Sequence, residues 1–158
     1  MFRIIKWLIA LPLGAFIFFN AYVYGNIITY RAVAPNKTAF MAMRMRQFQN
    51  EGKDVALDYR WVPYDRISVN LKKALIASED AKFAEHGGFD WGGIQYAIKR
   101  NKQSGEVKAG GSTISQQLAK NLFLNESRSY IRKGEEAAIT AMMEAVTDKD
   151  RIFELYLN

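Results

Sequence analysis

The chain has 158 residues, with 22 Lys and Arg against 16 Asp and Glu, a single His and no Cys. This length suffices for one domain with a core, and two globular domains are excluded once an apolar N-terminal segment is set aside. Without cysteine there are no disulfides or thiolate metal sites, and His86 alone excludes a multi-histidine site. The net charge of +6 favours anionic partners, either membrane headgroups and phosphates or nucleic acid.

The N-terminal segment is apolar enough to span a membrane. The 24 residues from Trp7 to Tyr30 carry no charge, and as a helix they reach about 36 Å, more than the roughly 30 Å of a bilayer core. Aromatic residues cluster toward both ends, as they do at membrane interfaces. We predict a cytoplasmic N-terminus at residues 1–6 and a transmembrane helix at residues 7–30. Such a helix argues against nucleic acid as the partner.

A cleaved signal peptide is the alternative for this segment, because Arg3 and Lys6 precede the apolar run. The run is longer than the usual apolar region of about 7 to 15 residues, and no clear small-x-small cleavage site follows it. Lys and Arg flank both ends, so their count does not decide the orientation.

Residues 31–66 are interpreted as a membrane-proximal connection. Within it, the amphipathic stretch 38–49 predicts a short helix that lies at the bilayer surface or packs on the domain. Residues 55–64 are expected to be extended, with Pro63 ending the segment.

Helical spacing dominates from Ile67 onward. Leu71, Leu75 and Ile76 predict a helix with Glu79 on or beside its buried face, where desolvation would raise the pKa of Glu79 toward neutrality. Residues 91–109, which include Lys108, are basic with few apolar positions and are interpreted as a mobile connection.

Capping residues predict three further helices. Ser112 or Thr113 begins a helix that runs to about Phe123, Ser127 or Ser129 begins one over residues 130–147, and Asp148 or Asp150 begins the last. The apolar face of the last helix consists of Ile152, Phe153, Tyr156 and Leu157.

Four motifs follow one another along these segments. They are Ser78-Glu79-Asp80-Ala81-Lys82-Phe83-Ala84-Glu85-His86-Gly87, Gly110-Gly111-Ser112-Thr113-Ile114-Ser115-Gln116-Gln117-Leu118-Ala119-Lys120-Asn121, Arg132-Lys133-Gly134-Glu135-Glu136, and Lys149-Asp150-Arg151-Ile152-Phe153-Glu154-Leu155-Tyr156-Leu157-Asn158. In this order they resemble the motifs of the family 51 peptidoglycan glycosyltransferases, which include the transglycosylase domain of class A penicillin-binding proteins. One span and no penicillin-binding module favour the monofunctional members.

The resemblance implies a mainly α, lysozyme-like helical glycosyltransferase domain behind one N-terminal transmembrane helix. Residues 67–158 would be the N-terminal part of that domain. Members of the family continue past the fourth motif with further helices, so the resemblance also implies a chain truncated at its C-terminus.

The resemblance also implies roles for individual residues. Glu79 would be the general base and Glu136 the second catalytic acid residue, with Arg132 and Lys133 binding the donor pyrophosphate. On a helix, Arg132 and Lys133 lie four and three positions before Glu136 and share its face. The remaining substrate-binding positions would be Asp80, Phe83, Gly111, Ser112, Thr113, Gln116, Gln117, Lys120 and Asn121. His86 would be structural, and no residue is assigned to a metal.

The implied activity is polymerisation of lipid II into glycan strands at the outer, periplasmic face of the cytoplasmic (inner) membrane. Partners would be lipid II, the growing lipid-linked glycan chain, the membrane, and other cell-wall synthesis and division proteins. A divalent cation, Mg²⁺ or Mn²⁺, could assist at the pyrophosphate, although Lys and Arg can supply the same charge.

Two other functions are compatible with parts of the sequence. A murein hydrolase or lytic enzyme of similar fold would also use carboxylates on glycan strands, but it would not need Arg132 and Lys133 because its leaving group carries no phosphate. An inactive membrane tether that binds lipid II or cell-wall synthesis partners would fit a truncated chain.

Overall fold

The computed structural model describes residues 2–106 and 110–158; Met1 and residues 107–109, with Lys108 among them, lie outside it. This part of the chain contains helices and no strand, so the predicted mainly α class is confirmed. The helices are α1 (Phe2–Tyr30), α2 (Ala39–Asn50), α3 (Val69–Glu79), α4 (Trp91–Ser104), α5 (Ile114–Phe123), α6 (Tyr130–Val146) and α7 (Lys149–Leu157), with a 3₁₀ turn at Tyr64–Arg66.

Helix α1 is the one candidate membrane span in the described part of the chain. Its segment Lys6–Tyr30 has a mean hydropathy of 1.7 and is long enough to cross a bilayer, a test that a signal sequence also passes. Asn20, Asn26 and Thr29 donate from their side chains to backbone carbonyls four residues earlier, at 2.8 to 2.9 Å. These local hydrogen bonds satisfy polar groups that lipid could not.

The last turns of α1 belong to the protein core. Val23 is 0% and Ile27 2% exposed, and this end of the helix packs against α6. Arg151 of α7 donates from Nε to the carbonyl of Tyr30 at 2.7 Å and from Nη2 to that of Val33 at 3.0 Å. A cation at a helix C-terminus is favourable because the final carbonyls lack helical partners. The last turns of α1, which include Val23 and Ile27, therefore form part of the domain core.

The predicted N-caps of three helices are confirmed. Thr113, Ser129 and Asp148 each accept a hydrogen bond from the backbone N–H three residues later, at 2.8 to 3.2 Å. Helix α2 also forms as predicted, with Thr38 as its cap. Capping is a local interaction, which is why short sequence patterns were sufficient to locate these boundaries.

The prediction of a mobile connection over residues 91–109 was wrong for most of its length. Asp90 caps α4 by accepting from the N–H of Gly93 at 2.9 Å, and Ala97 is buried.

Residues 55–63 form no helix or strand. Side chains at the end of the chain, in and just after α7, hold the last residues of this segment in place. Asn158 accepts from the N–H of Val62 at 2.7 Å, and Glu154 accepts from the N–H of Tyr64 at 2.9 Å.

Helix α5 lies at the centre of the domain, in contact with α2, α6 and α7. Its buried apolar residues join those of α6 and α7, including Ile139, Met143, Ile152 and Phe153, in one cluster. A polar bridge crosses the same junction. The Glu144 carboxylate of α6 accepts from Ser115 at 2.5 Å and from Lys149 at 2.8 Å. Three helices that carry sequence motifs are thus held together by both apolar and ionic contacts.

A substitution at Gly88 tests how tightly the loop after α3 packs on α6. Gly88 has φ +88°, and a Cβ there would lie 2.8 Å from Thr140 Cγ2 and 2.9 Å from Glu144 Cγ. We expect Gly88→Ala to lower the free energy of unfolding by about 2 kcal/mol, from the left-handed backbone and the close contacts together. Thermal melts in detergent measure this. Gly87→Ala is the control, because nothing lies within 4 Å of a Cβ there; equal melts of the two variants would contradict the packing.

Candidate active site

Two adjoining clefts lie beside the N-terminus of α5. The larger, about 410 Å³, is lined by the end of α3, the loop before α5 and part of α4. The smaller, about 240 Å³, is lined mainly by α4, Gln116 and Lys133. Gly111 and Ser112 line both clefts. Glycine allows α4 to pack closely here, since a Cβ at Gly111 would lie 3.0 Å from the Cα of Ile94 in α4.

Glu79 is the exposed carboxylate of the larger cleft. The expectation that its side chain lies against a buried helix face was wrong, because Glu79 is exposed and is the last residue of α3, where no further turn covers it. Gln117 of α5 donates from Nε2 to Glu79 Oε2 at 2.8 Å. Gln117 thus contacts the candidate base but does not itself line either cleft, and its substrate binding stays a prediction.

Asp80, next to Glu79 in the chain, has the opposite environment. It is 7% exposed, and its carboxylate accepts from His86 Nε2 at 2.9 Å and from the N–H of Ile114, the first residue of α5, at 3.1 Å. Since the N–H of Gly88 donates to His86 Nδ1 at 3.2 Å, the ring proton that faces Asp80 is on Nε2. These contacts fix the position of Asp80, which also lines the larger cleft, so its substrate binding stays a prediction. They support the predicted structural role of His86.

Phe83 also differs from expectation. Its side chain is 3% exposed and packs against Phe153 with ring centroids 5.5 Å apart. The predicted substrate contact for Phe83 is corrected accordingly: the ring is a core residue and does not line either cleft.

Thr113 and Gln116 form a capping box at the start of α5. Gln116 Oε1 accepts from the N–H of Thr113 at 3.1 Å, and Thr113 Oγ1 donates to the carbonyl of Gly88 at 2.7 Å. Both residues are buried. Each lines one of the two clefts, Thr113 the larger and Gln116 the smaller, so a substrate would meet side chains whose polar groups already hold the backbone in place.

Arg132, Lys133 and Glu136 form an ion cluster on one face of α6, as their spacing predicted. Arg132 Nη1 donates to Glu136 Oε2 at 2.6 Å, and Lys133 Nζ donates to Glu136 Oε1. Lys133 also donates to Ser112 Oγ at 3.1 Å. The Glu136 side chain is 3% exposed but that of Lys133 is 44% exposed. Two cations on one buried carboxylate leave a net positive charge, and Lys133 presents it to the smaller cleft.

Lys120 and Asn121 are not among the described residues that line the two clefts. Both are half-buried in the last turns of α5, and their substrate contact stays a prediction.

Sequence reasoning missed the wall that α4 provides. Ile94, Ala97 and Ile98 line the smaller cleft, and Asp90 and Tyr96 line the larger. The signal was present as Asp90, a good N-cap, followed by apolar residues at i, i+3 and i+4 spacing. It also missed Tyr156 as a polar contact: its hydroxyl donates to Gln117 Oε1 at 3.2 Å.

The described residues include no group of three or more His, Asp or Glu arranged to hold a metal ion. Both oxygens of Glu136 are held by cations, and both oxygens of Asp80 are held by protein donors. These two carboxylates do not fit a resident divalent cation.

Comparison with known proteins defines the class of this site. The transglycosylase family model matches residues 44–158, more than half of the chain. The chain therefore belongs to the transglycosylase family, and the resemblance carried by the four motifs is confirmed.

Relatives with the name biosynthetic peptidoglycan transglycosylase match all 158 residues. One from Neisseria meningitidis serogroup C (strain 053442) is 89% identical, one from Neisseria meningitidis serogroup A / serotype 4A (strain DSM 15465 / Z2491) is 88% identical, and one from Neisseria gonorrhoeae (strain NCCP11945) is 86% identical. The chain spans 68% of the length of each.

The ion cluster on α6 yields a prediction about neighbouring glutamates. Glu136→Gln keeps the side-chain shape but removes the charge that holds Arg132 and Lys133, so we expect glycosyl transfer to fall about 10²-fold or more. Lys133→Ala should cause a similar loss. Glu135→Gln is the matched control, since Glu135 lies about 100° around the helix from Glu136. Turnover of labelled lipid-linked substrate measures all three, and equal losses from both glutamates would show that the cluster is not specific to the reaction.

Proposed function

We propose that this protein is a peptidoglycan glycosyltransferase that polymerises lipid II into glycan strands. The growing lipid-linked chain is the donor and lipid II is the acceptor. The observation that carries the proposal is the division of the site, with an exposed carboxylate in one cleft, an exposed ammonium in the next, and Gly111 and Ser112 between them. The names and the high identity of the relatives support the same substrate class.

The acceptor reacts in the larger cleft. Glu79 takes the proton of the lipid II sugar 4-hydroxyl as that oxygen bonds to the anomeric carbon of the donor. One Glu79 oxygen is held by Gln117. Within the described residues the other oxygen has no hydrogen-bond partner, which leaves it for the hydroxyl proton.

The leaving group is held by the cluster on α6. As the bond from the anomeric carbon to the donor pyrophosphate breaks, the electron pair stays on the pyrophosphate. Lys133, with Arg132 behind it, stabilises the charge that develops there. Glu136 orients both cations and leaves one positive charge uncompensated. A single displacement of this kind inverts the anomeric centre and needs no carboxylate nucleophile.

An apolar N-terminal helix that could anchor the domain to a membrane fits a lipid-linked substrate. Helix α1 is the proposed anchor in the cytoplasmic membrane, with the domain on its periplasmic face, where we propose that lipid II is used. A divalent cation is not part of this scheme, because Lys and Arg neutralise the pyrophosphate. In a murein hydrolase, Lys133 would have no leaving-group phosphate to stabilise, since the leaving group in that reaction is a sugar.

The base assignment is tested by Glu79→Gln in the full chain. The amide keeps the shape of the carboxylate but does not accept the proton, so polymerisation should fall by about 10² to 10⁴-fold while the thermal melt is unchanged. A gel of labelled lipid II should show no glycan ladder. Glu85→Gln is the control, because Glu85 is exposed and lines neither cleft. A variant that keeps more than about a tenth of the parent activity would refute Glu79 as the base.

The anchor is tested by deletion, with the boundary taken from the structure. Phe19 packs on the core and Val23 is buried in it, so residues 2–18 can be removed without opening the core. We expect this variant to keep its activity on lipid II in detergent and to lose about tenfold or more on liposomes, because the tether raises the local concentration. Deletion through residue 30 should instead lower the melting temperature.

The same preparations separate synthase from hydrolase. Neither the full chain nor the deletion variant should release muropeptides from purified, lipid-free glycan strands. Release by either one would favour the hydrolase and overturn the proposed function.

A further inference from the structure

The candidate base is connected to α7 through one amide. Tyr156 in α7 donates from its hydroxyl to Gln117 Oε1 at 3.2 Å, and Gln117 in α5 donates from Nε2 to Glu79 Oε2 at 2.8 Å. Three helices, α3, α5 and α7, therefore meet in a single chain of hydrogen bonds that ends on the catalytic carboxylate.

Only one orientation of the amide satisfies both of its neighbours. A carboxylate accepts hydrogen bonds and does not donate them, so the NH₂ group of Gln117 must face Glu79. The amide oxygen then faces the Tyr156 hydroxyl, which can donate to it. If the amide turned over, its oxygen would meet the negatively charged Glu79 oxygen.

Tyr156 is a stable donor for this purpose. Burial raises the pKa of Tyr156, and the charge of Glu79 raises it further, so the hydroxyl keeps its proton. Its ring stacks on Phe153 with centroids 6.4 Å apart, and Phe153 is 1% exposed. The half-buried Tyr156 ring is thus held against the core, which limits the positions open to its hydroxyl.

We propose that Tyr156 is a positioning residue for the base and acts through Gln117. By fixing the amide, it keeps Glu79 Oε2 bound and turns Oε1 toward the larger cleft, where Oε1 takes the proton of the acceptor hydroxyl. The inference rests on the proposed function of Glu79. It adds that α7, for which the sequence predicted no contact with Glu79, contributes to the orientation of the base.

The test is a double-mutant cycle in the full chain with Tyr156→Phe, Gln117→Ala and both together. Tyr156→Phe keeps the ring and removes only the hydroxyl. We expect kcat on lipid II to fall about tenfold with KM changed by less than about twofold, because the loss of one hydrogen bond affects the base and not substrate binding. In the Gln117→Ala background, Tyr156→Phe should cause no further loss.

Tyr64→Phe is the matched control. It removes a hydroxyl that donates to Asp150 at 3.2 Å, also on α7 but outside both clefts, and it should leave kcat unchanged. Unchanged kcat in Tyr156→Phe would overturn the proposal, as would multiplicative losses in the double variant. A loss of kcat matched by a fall in melting temperature would assign Tyr156 a structural role and would also overturn it.

Failure of the inference is distinct from failure of the proposed function. If Glu79→Gln abolishes activity and Tyr156→Phe does not reduce it, Glu79 is the base and is oriented by other contacts. If Glu79→Gln stays active, the base assignment itself is wrong.

Discussion

The site depends on the buried carboxylate of Asp80. A carboxylate that is 7% exposed is costly to bury unless it is hydrogen-bonded, and Asp80 obtains its partners from two separate segments, His86 and the first N–H of α5. An anion beside the N-terminus of a helix is favourable because the N–H groups there lack helical partners. The end of α3 and the start of α5 are therefore held at one relative position. That position brings Glu79 within hydrogen-bond distance of Gln117.

Adjacent residues thus have different tasks because α3 ends between them. Glu79 is its last residue and is exposed in the larger cleft, whereas the next residue turns inward. The loop that follows, which leads into α4, contacts the start of α5 through Gly88, whose carbonyl accepts from Thr113. Backbone geometry of this kind lets one side chain be rigidly buried while its neighbour stays available to a substrate.

Much of this fold could be predicted because its signals are local. Thr113, Ser129 and Asp148 mark helix starts by contacts within three residues, and the ion cluster around Glu136 follows from helical spacing. Three features were not predictable in this way, because they depend on where a helix ends or on contacts between distant residues. The exposure of Glu79 is set by where α3 ends, the burial of Phe83 by Phe153, and the formation of α4 by the buried face that includes Ala97. The glycines at 92 and 93 also weakened the helical pattern of α4.

The buried Glu136 carboxylate fixes the positions of two cations, Arg132 and Lys133. Without Glu136, Arg132 and Lys133 would repel each other and gain mobility, and Lys133 would lose its orientation toward the smaller cleft. A second carboxylate in the cluster would cancel the remaining charge. One carboxylate between two cations fixes both and still leaves a net positive field, with Lys133 as the exposed group. Fixed charge of this sign can stabilise a departing anion without reorganisation during the reaction. Lys133, which also contacts Ser112, therefore suits the phosphate-bearing leaving group of the proposed reaction better than a neutral sugar.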